Sequence, residues 1–354
     1  MLGHARKTRT AVDWTFYCII ETPGMLDDKA RTLGAKVVYS PVPLGMTWEF
    51  IRALRTELRR GAYDVLHCHH DLVSAVYLLA ATGIELRRRV VHVHNADESV
   101  PSPSRTKQRL YRDPMRRVCL SMADRVVGIS NHTLDAFLAG RPARQGRDLV
   151  HYYGVDPTPF ELASPDRLDF RSRCGLPEEA RILLFPGRLV PEKNPLFVVD
   201  VLARLRDVEP RAVAVFAGSG FQEQDVRRRA QELRVDDSVH LLGWRSDVAE
   251  IMSSSDWFIL PHPEQPMEGF GLAVVEAQLA GLRLLLSRGI PDDPLLPTAS
   301  FRRLPLSDGP EVWAKAAMEL LHKPAPSRAA AVAALKESPM DMDRALEGLL
   351  QLYT

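Results

Sequence analysis

The stretch RILLFPGRLVPEKNPLFVVDVLARL, residues 181 to 205, contains one complete strand, loop and helix. Ile182 to Phe185 form an apolar run that Pro186 and Gly187 close; it is too short for a buried helix and suits a strand. Beyond the loop, Val198, Val201, Leu202 and Leu205 recur at helical spacing behind Pro195. A strand apolar on both faces that leads into a helix indicates a parallel sheet covered on both sides.

The same alternation runs outward in both directions. Toward the N-terminus WTFYCII (14–20), AKVVYS (35–40), YDVLH (63–67), RVVHVH (89–94), DRVVGIS (124–130) and RDLVHY (147–152) read as strands. Helices fit between them, such as TWEFIRALRTELRR (47–60) with Ile51, Leu54 and Leu58 on one face. Toward the C-terminus RAVAVFAG (211–218), SVHLLG (238–243), DWFILP (256–261) and LRLLLS (282–287) continue the pattern. The expected class is α/β, two Rossmann-like domains facing each other across a cleft, because such sheets bind ligands beyond the carboxyl ends of their strands. The first domain is placed at 1–160, the second at 161–337, and a last helix at 338–354 that could pack on either. The Pro- and Asp-rich GVDPTPFELASPDRLDF (154–170) reads as the hinge.

Composition excludes several classes. At 354 residues and 45% apolar the chain can bury two cores. Cys18, Cys68, Cys119 and Cys174 are scattered without a Cys-x-x-Cys pair, which argues against a disulfide scaffold or structural zinc and for a reducing compartment. No run of eighteen uncharged apolar residues exists to span a membrane. The opening residues lack a cleavage site and carry Asp13, so they read as a strand rather than a signal peptide, giving a cytoplasmic expectation. The formal charge of +1 hides an asymmetry, +6 over residues 1–163 and −5 over the rest. A basic first half suits an anionic partner such as a membrane surface or a phosphate-bearing acceptor; nothing points to nucleic acid.

Three loops of the second half could carry chemistry. After RILLFP come Gly187, Arg188 and, five positions on, Lys193: a planar fork and a compact charge, both suited to phosphate, or else two solvated loop cations. FAGSGFQ offers Gly218 and Gly220, a tight turn unless a ligand sits on it. EGFGLAVVEA (268–277) places Gly269, Phe270 and Gly271 at the start of a helix running to about Gly281, where free N–H groups attract anions. Glu268 precedes this helix and Glu276 lies inside it, roughly 7–8 Å along the axis at 1.5 Å per residue. Ionised carboxylates only accept hydrogen bonds, so two of them flanking an anion cradle suit a ligand with hydroxyl pairs at both ends and phosphate between, a nucleotide-sugar. A capping Glu268 and an ordinary exposed Glu276 are the bland alternative.

In the first half HCHHD (67–71) and HVHNADE (92–98) each end a strand. A metal would need these loops to converge with three or four ligands, so lining or core histidines are the simpler reading. His94, at the strand end, suits a hydrogen bond to substrate. SRTKQRLYRDPMRR (104–117), with six cations, reads as a peripheral helix for an anionic membrane face or as a solvated basic face.

Taken in order, GRLVPEKNP, FAGSGF, LLGWRSDV, DWFILP and EGFGLAVVEAQLAG resemble the retaining family 4 glycosyltransferases of GT-B fold, from about residue 13 to the C-terminus. Glu268 and Glu276 have the spacing of that family's Glu-x7-Glu motif, and YDVLHCHH, RRVVHVHN and ADRVVGISNHT look like its bacterial exopolysaccharide and capsule members. The resemblance implies that Arg188 and Lys193 bind the donor diphosphate, that Glu268 holds donor-sugar hydroxyls and that Glu276 holds the ribose. The backbone of Phe270, Gly271 and Leu272 would line sugar and phosphate. His94 matches the family's active-site histidine, with His92 as fallback. It implies transfer of a hexose from a UDP- or GDP-sugar to a saccharide or lipid-linked acceptor at the inner face of the membrane. Neither cofactor nor metal is expected. The chain departs from the pattern in having only about a dozen residues before VDWTFYCII, where a strand, a glycine-rich loop and a helix are normal; in the longer PHPEQPM before Glu268; and in Tyr153, commonly Asn. A truncated, non-catalytic nucleotide-sugar binder and a sugar-nucleotide epimerase are the competing expectations.

Overall fold

The computed structural model of the protein describes residues 1–8, 12–20, 22–95, 105–163 and 167–354, with side chains described from 110 and from 170 onward in the helices that begin at Arg105 and Arg167. The chain forms two compact units, Met1–Gly154 together with Met342–Thr354, and Val155–Asp341. It passes into the second unit before residue 160 and returns to the first after residue 337.

In the first unit β1 (Thr15–Cys18) and β2 (Lys36–Tyr39) pair in parallel as a small sheet of their own. β3 (Val65–Cys68), β4 (Arg88–Val93), β5 (Arg125–Gly128) and β6 (Asp148–Val150) form a second parallel sheet in chain order. Four of these strands fall within the runs read from the sequence, and β3 and β4 overrun theirs by one residue, Cys68 and Arg88. The helix Thr47–Gly61 buries Phe50, Leu54 and Leu58. Ile51, expected on that face, is only half-buried, because Phe50, one turn before Leu54, takes the core position. The last helix, Met342–Gln351, belongs to this unit: Leu349 and the following Leu352 pack on Val90 and Val127 of β4 and β5.

The crossing between the units falls at the first residues of the segment read as the hinge. Val155 onward folds into the second unit through helices Thr158–Leu162 and Arg167–Arg173, burying Phe160 and Phe170, so its Pro and Asp residues start helices; residues 164–166 lie outside the described residues. The crossing point itself is Gly154/Val155.

The second unit holds six parallel strands, β7 (Arg181–Pro186), β8 (Ala212–Ala217), β9 (Val239–Gly243), β10 (Trp257–Leu260), β11 (Arg283–Ser287) and β12 (Phe301–Leu304), in the order β12-β11-β10-β7-β8-β9. The sequence reading missed β12: its FRRL carries two arginines because it is an edge strand with little buried surface. Val198, Val201, Leu202 and Leu205 of helix Pro195–Arg206 are fully buried. Strand order reverses between β7 and β10, and loops leaving such neighbours diverge to open a crevice at their carboxyl ends. Buried Asp256 secures this junction by accepting the Ile182 N–H at 2.9 Å and meeting Arg181 at 3.1 Å. Among the described residues no helix is long and apolar enough to cross a membrane.

Candidate active site

The loops after β7 and β10 carry the second unit's chemistry. After β7, buried Leu189 and Val190 pin the loop while Arg188 between its neighbours stays exposed, with no ion-pair partner among the described residues. Lys193 ends a single 3₁₀ turn, Pro191–Lys193, and its Nζ contacts Glu268 Oε2. The pair is about four-fifths shielded from solvent on each side. Two residues seventy-five positions apart, chosen from separate loops, thus meet.

Gly218 and Gly220, expected to line the donor, have a requirement inside the fold. A Cβ at Gly218 would lie 2.0 Å from the Gly187 carbonyl oxygen, and one at Gly220 2.2 Å from that of Leu189. The two loops are laced by Gly187 N–H to Ala217 O at 3.0 Å, Leu189 N–H to Ser219 O at 3.1 Å and Gln222 N–H to Leu189 O at 3.1 Å. These glycines therefore let the β8 loop carry the β7 loop on its back. Gly187 differs: a Cβ there would meet only the Phe185 ring at 3.8 Å, so the turn alone does not demand glycine, contrary to expectation.

After β10 the chain runs through His262 to Glu268, whose N–H donates to Gly289 O at 2.8 Å. Gly271, in the left-handed region at φ +88°, caps the helix Leu272–Leu279, two residues shorter at its end than expected. Phe270 is buried in the fold, while Leu272 at the helix start is half-exposed. Glu276, half-buried on that helix, forms no ion pair among the described residues, and burial pushes its carboxyl up to about 7. Among the described residues no cation offsets that burial.

His262 was missed by the sequence reading. It is 4% exposed, its Nδ1 lies 3.0 Å from Pro263 O and its Nε2 3.6 Å from Glu268 Oε2. Burial holds its pKa below the usual imidazole value, with Glu268 pulling the other way. A histidine following LP, six residues before Glu268, was the available signal.

In the first unit His67, His69, His92 and His94 line the carboxyl ends of β3 and β4. His94 Nε2 and His69 Nδ1 are joined at 2.9 Å, and His94 Nδ1 meets the Tyr153 hydroxyl at 2.6 Å. The His94 N–H donates to Asp71 Oδ1 at 2.7 Å, and Asn95 Nδ2 donates to Asp71 Oδ2 at 2.7 Å. Both ring nitrogens of His94 are thus engaged by its own unit, and Tyr153, which stood out in sequence, is one of the partners. His92 is buried and its Nε2 has no partner, so it is a core residue. Nitrogens of His67, His69 and His92 lie within 4.8 Å of one another, close enough to suggest a metal. Three of these nitrogens are engaged in hydrogen bonds: His67 Nε2 joins His92 Nδ1 at 3.1 Å with the two rings parallel to within 3°, and His67 Nδ1 meets Tyr353 at 2.9 Å. Burial keeps these rings neutral, His67 and His92 well below the usual value and His69 at about 4. The end of HVHNADE, Ala96 to Glu98, lies outside the described residues.

The basic segment forms part of helix Arg105–Met122, with Ser104 outside the described residues. Leu110 is 74% exposed and Tyr111 48%, while Met115 packs into the core.

Two Rossmann-like units in one chain are the architecture of the GT-B glycosyltransferases. Comparison with known proteins agrees. Residues 10–154 match the family model of the glycosyl transferase 4-like domain, and residues 166–332 that of glycosyl transferases group 1. The chain belongs to the family 4 glycosyltransferases. EpsF of Bacillus subtilis, described as a glycosyltransferase, is 25% identical over 99% of this chain and 90% of its own. The UDP-Gal:alpha-D-GlcNAc-diphosphoundecaprenol alpha-1,3-galactosyltransferase of Escherichia coli is 25% identical over 74% of this chain and 67% of its own. The Anabaena protein HepE, solved with UDP, shares the fold at a TM-score of 0.79 and 19% identity, over 99% of this chain and 93% of HepE.

Proposed function

We propose that the protein transfers a hexose from a UDP- or GDP-sugar to a saccharide or lipid-linked saccharide acceptor, with retention and without metal, in the synthesis of exopolysaccharide or another cell-surface glycan. The observation that carries this reading is the set in the second unit: exposed Arg188, the Lys193–Glu268 pair and partnerless Glu276, all on loops or a helix at the carboxyl ends of β7 and β10. Arg188 and Lys193 supply the positive charge that a departing diphosphate needs, so metal is not required for that step. Glu276 is the acceptor for the ribose hydroxyl pair and Glu268 for the sugar. The HepE structures with UDP and UDP-glucose, and the UDP-Gal donor in the name of the Escherichia coli relative, support a uridine nucleotide. Exposed Leu110 and Tyr111 on the basic helix support peripheral contact with anionic lipid at the cytoplasmic face.

The test is calorimetric titration of UDP- and GDP-hexoses, followed by assay of transfer or slow donor hydrolysis. At least one donor binds, and Lys193→Ala lowers kcat by about 10²–10³-fold, the usual cost of an electrostatic stabiliser. Silence across the panel overturns the reading. Binding without release of nucleoside diphosphate would instead identify a non-catalytic binder, for which the closed hydrogen bonding of His94 is the favouring observation. Interconversion of free sugar nucleotides would identify an epimerase.

A further inference from the structure

We propose that His262 is a positioning residue that takes over the Glu268 carboxylate when a nucleoside diphosphate draws Lys193 away, gaining a proton as it does so. This rests on the reading of Lys193 as a diphosphate ligand.

Glu268 Oε2 faces two nitrogens, Lys193 Nζ in contact and His262 Nε2 at 3.6 Å. The imidazole has little freedom. It is 4% exposed, and the Ser287 hydroxyl, donating at 2.5 Å, pins its carbonyl. Its Nδ1 lies 3.0 Å from Pro263 O, and a carbonyl can only accept, so Nδ1 carries the hydrogen. Nε2 is then the nitrogen with the open lone pair, and it is the one aimed at Glu268.

One ammonium cannot serve a diphosphate and a carboxylate at full strength. As Lys193 turns to the phosphates, Glu268 is left charged in a shielded site, and an unpaired shielded charge is costly. A proton from solvent adding to the Nε2 lone pair repairs this: one N–H bond forms and no bond in the protein breaks. The imidazolium then donates to Oε2 across the gap. The charged groups that act on His262 are Glu268 and Glu192, which favour its protonation, and Lys193, which with burial opposes it. Departure of Lys193 removes one of the two opposing influences, and the arriving phosphates add to the favourable side. Glu268 stays anchored where the proposed sugar hydroxyls arrive, and the ground-state ion pair keeps it there before the donor comes.

The experiment measures protons taken up when UDP and GDP bind, by calorimetry at pH 7 in buffers of different ionisation enthalpy, for the wild type and His262→Asn. Protons lost by the nucleotide's own phosphate are common to both and cancel. The wild type takes up more protons per nucleotide than H262N, by up to one. A second measurement needs no nucleotide: by NMR, with the resonance assigned from His262→Gln, His262 titrates at higher pH in Lys193→Ala than in the wild type. Equal proton uptake in wild type and H262N with intact binding, or an unmoved titration in K193A, overturns the proposal and leaves the donor site standing. Failure of UDP and GDP to bind the wild type overturns both.

Discussion

Glu276 shows at the scale of one residue what burial does to a carboxyl group. Its carboxyl stands at about 7 rather than near 4.5 because burial disfavours its charge and no cation offsets it. The sign follows from proton counting. Below about pH 4.5 folded and unfolded states both hold the proton and Glu276 costs nothing; between there and pH 7 the folded state holds more, so stability falls as pH rises. Glu276→Gln is therefore expected to gain roughly 1–2 kcal/mol at pH 8, a few degrees in Tm, and nothing at pH 4. The same variant binds UDP more weakly at pH 8, because an amide replaces the ionised acceptor, and loses the weakening of UDP binding that the wild type shows as pH falls below 7. Thermal melts and titrations at the two pH values check both; a Gln variant that neither stabilises nor weakens binding removes Glu276 from the ribose. The pair Glu268 and Glu276 could be read from the sequence because a fixed spacing places one before a helix and the other inside it. His262 was not, because its closeness to Glu268 arises from how the β10 loop folds back on Gly289.

At the scale of elements, the Gly-x-Gly after β8 is a joint between two loops. With 2.0 and 2.2 Å available where a Cβ would sit, Gly218→Ala and Gly220→Ala must prise the β7 loop away, at a cost of about 1–3 kcal/mol. They also displace Arg188 and Lys193, so UDP binding weakens although neither glycine need touch the ligand. Gly187→Ala has room for its Cβ and is expected to leave stability within about 0.5 kcal/mol of wild type while testing whether a ligand occupies the space beside it. Melting curves separate the two classes; equal stability of all three variants contradicts the close approach. Eleven of the twelve strands could be read from sequence because each is a dense apolar run. β12 could not, since an edge strand needs only one flank of partners and tolerates Arg302 and Arg303.

At the scale of the whole molecule the two units should melt as separate transitions. UDP at a hundred times its Kd adds about 2.7 kcal/mol to whatever binds it, and on the proposed reading that rise belongs to the second unit. Acid acts on the first. His67, His69, His92, His94 and His151 all lie below the usual 6.5 through burial, so the unfolded chain takes up protons first as pH falls below that value. The stability they contribute is whole above pH 6.5 and is lost progressively toward pH 4. The first unit's transition is therefore expected to fall by several degrees between pH 7.5 and pH 5, the His92→Phe variant less so. Calorimetry across that range decides it, and a first transition indifferent to pH contradicts the buried histidine cluster.

Apolar runs, their alternation with helices, and motif order were enough to establish the α/β class and, among the described residues, the strands nearly to the last. These are local properties: burial on both faces of a strand and on one face of a helix must be written into neighbouring residues. Which unit the last helix joins, which glycines serve packing, and which side chains meet were settled by chain folding alone. Leu349 against Val90, Lys193 against Glu268 and His69 against His94 are contacts between segments far apart in sequence. Their closeness depends on strand order and loop path, which no local periodicity encodes.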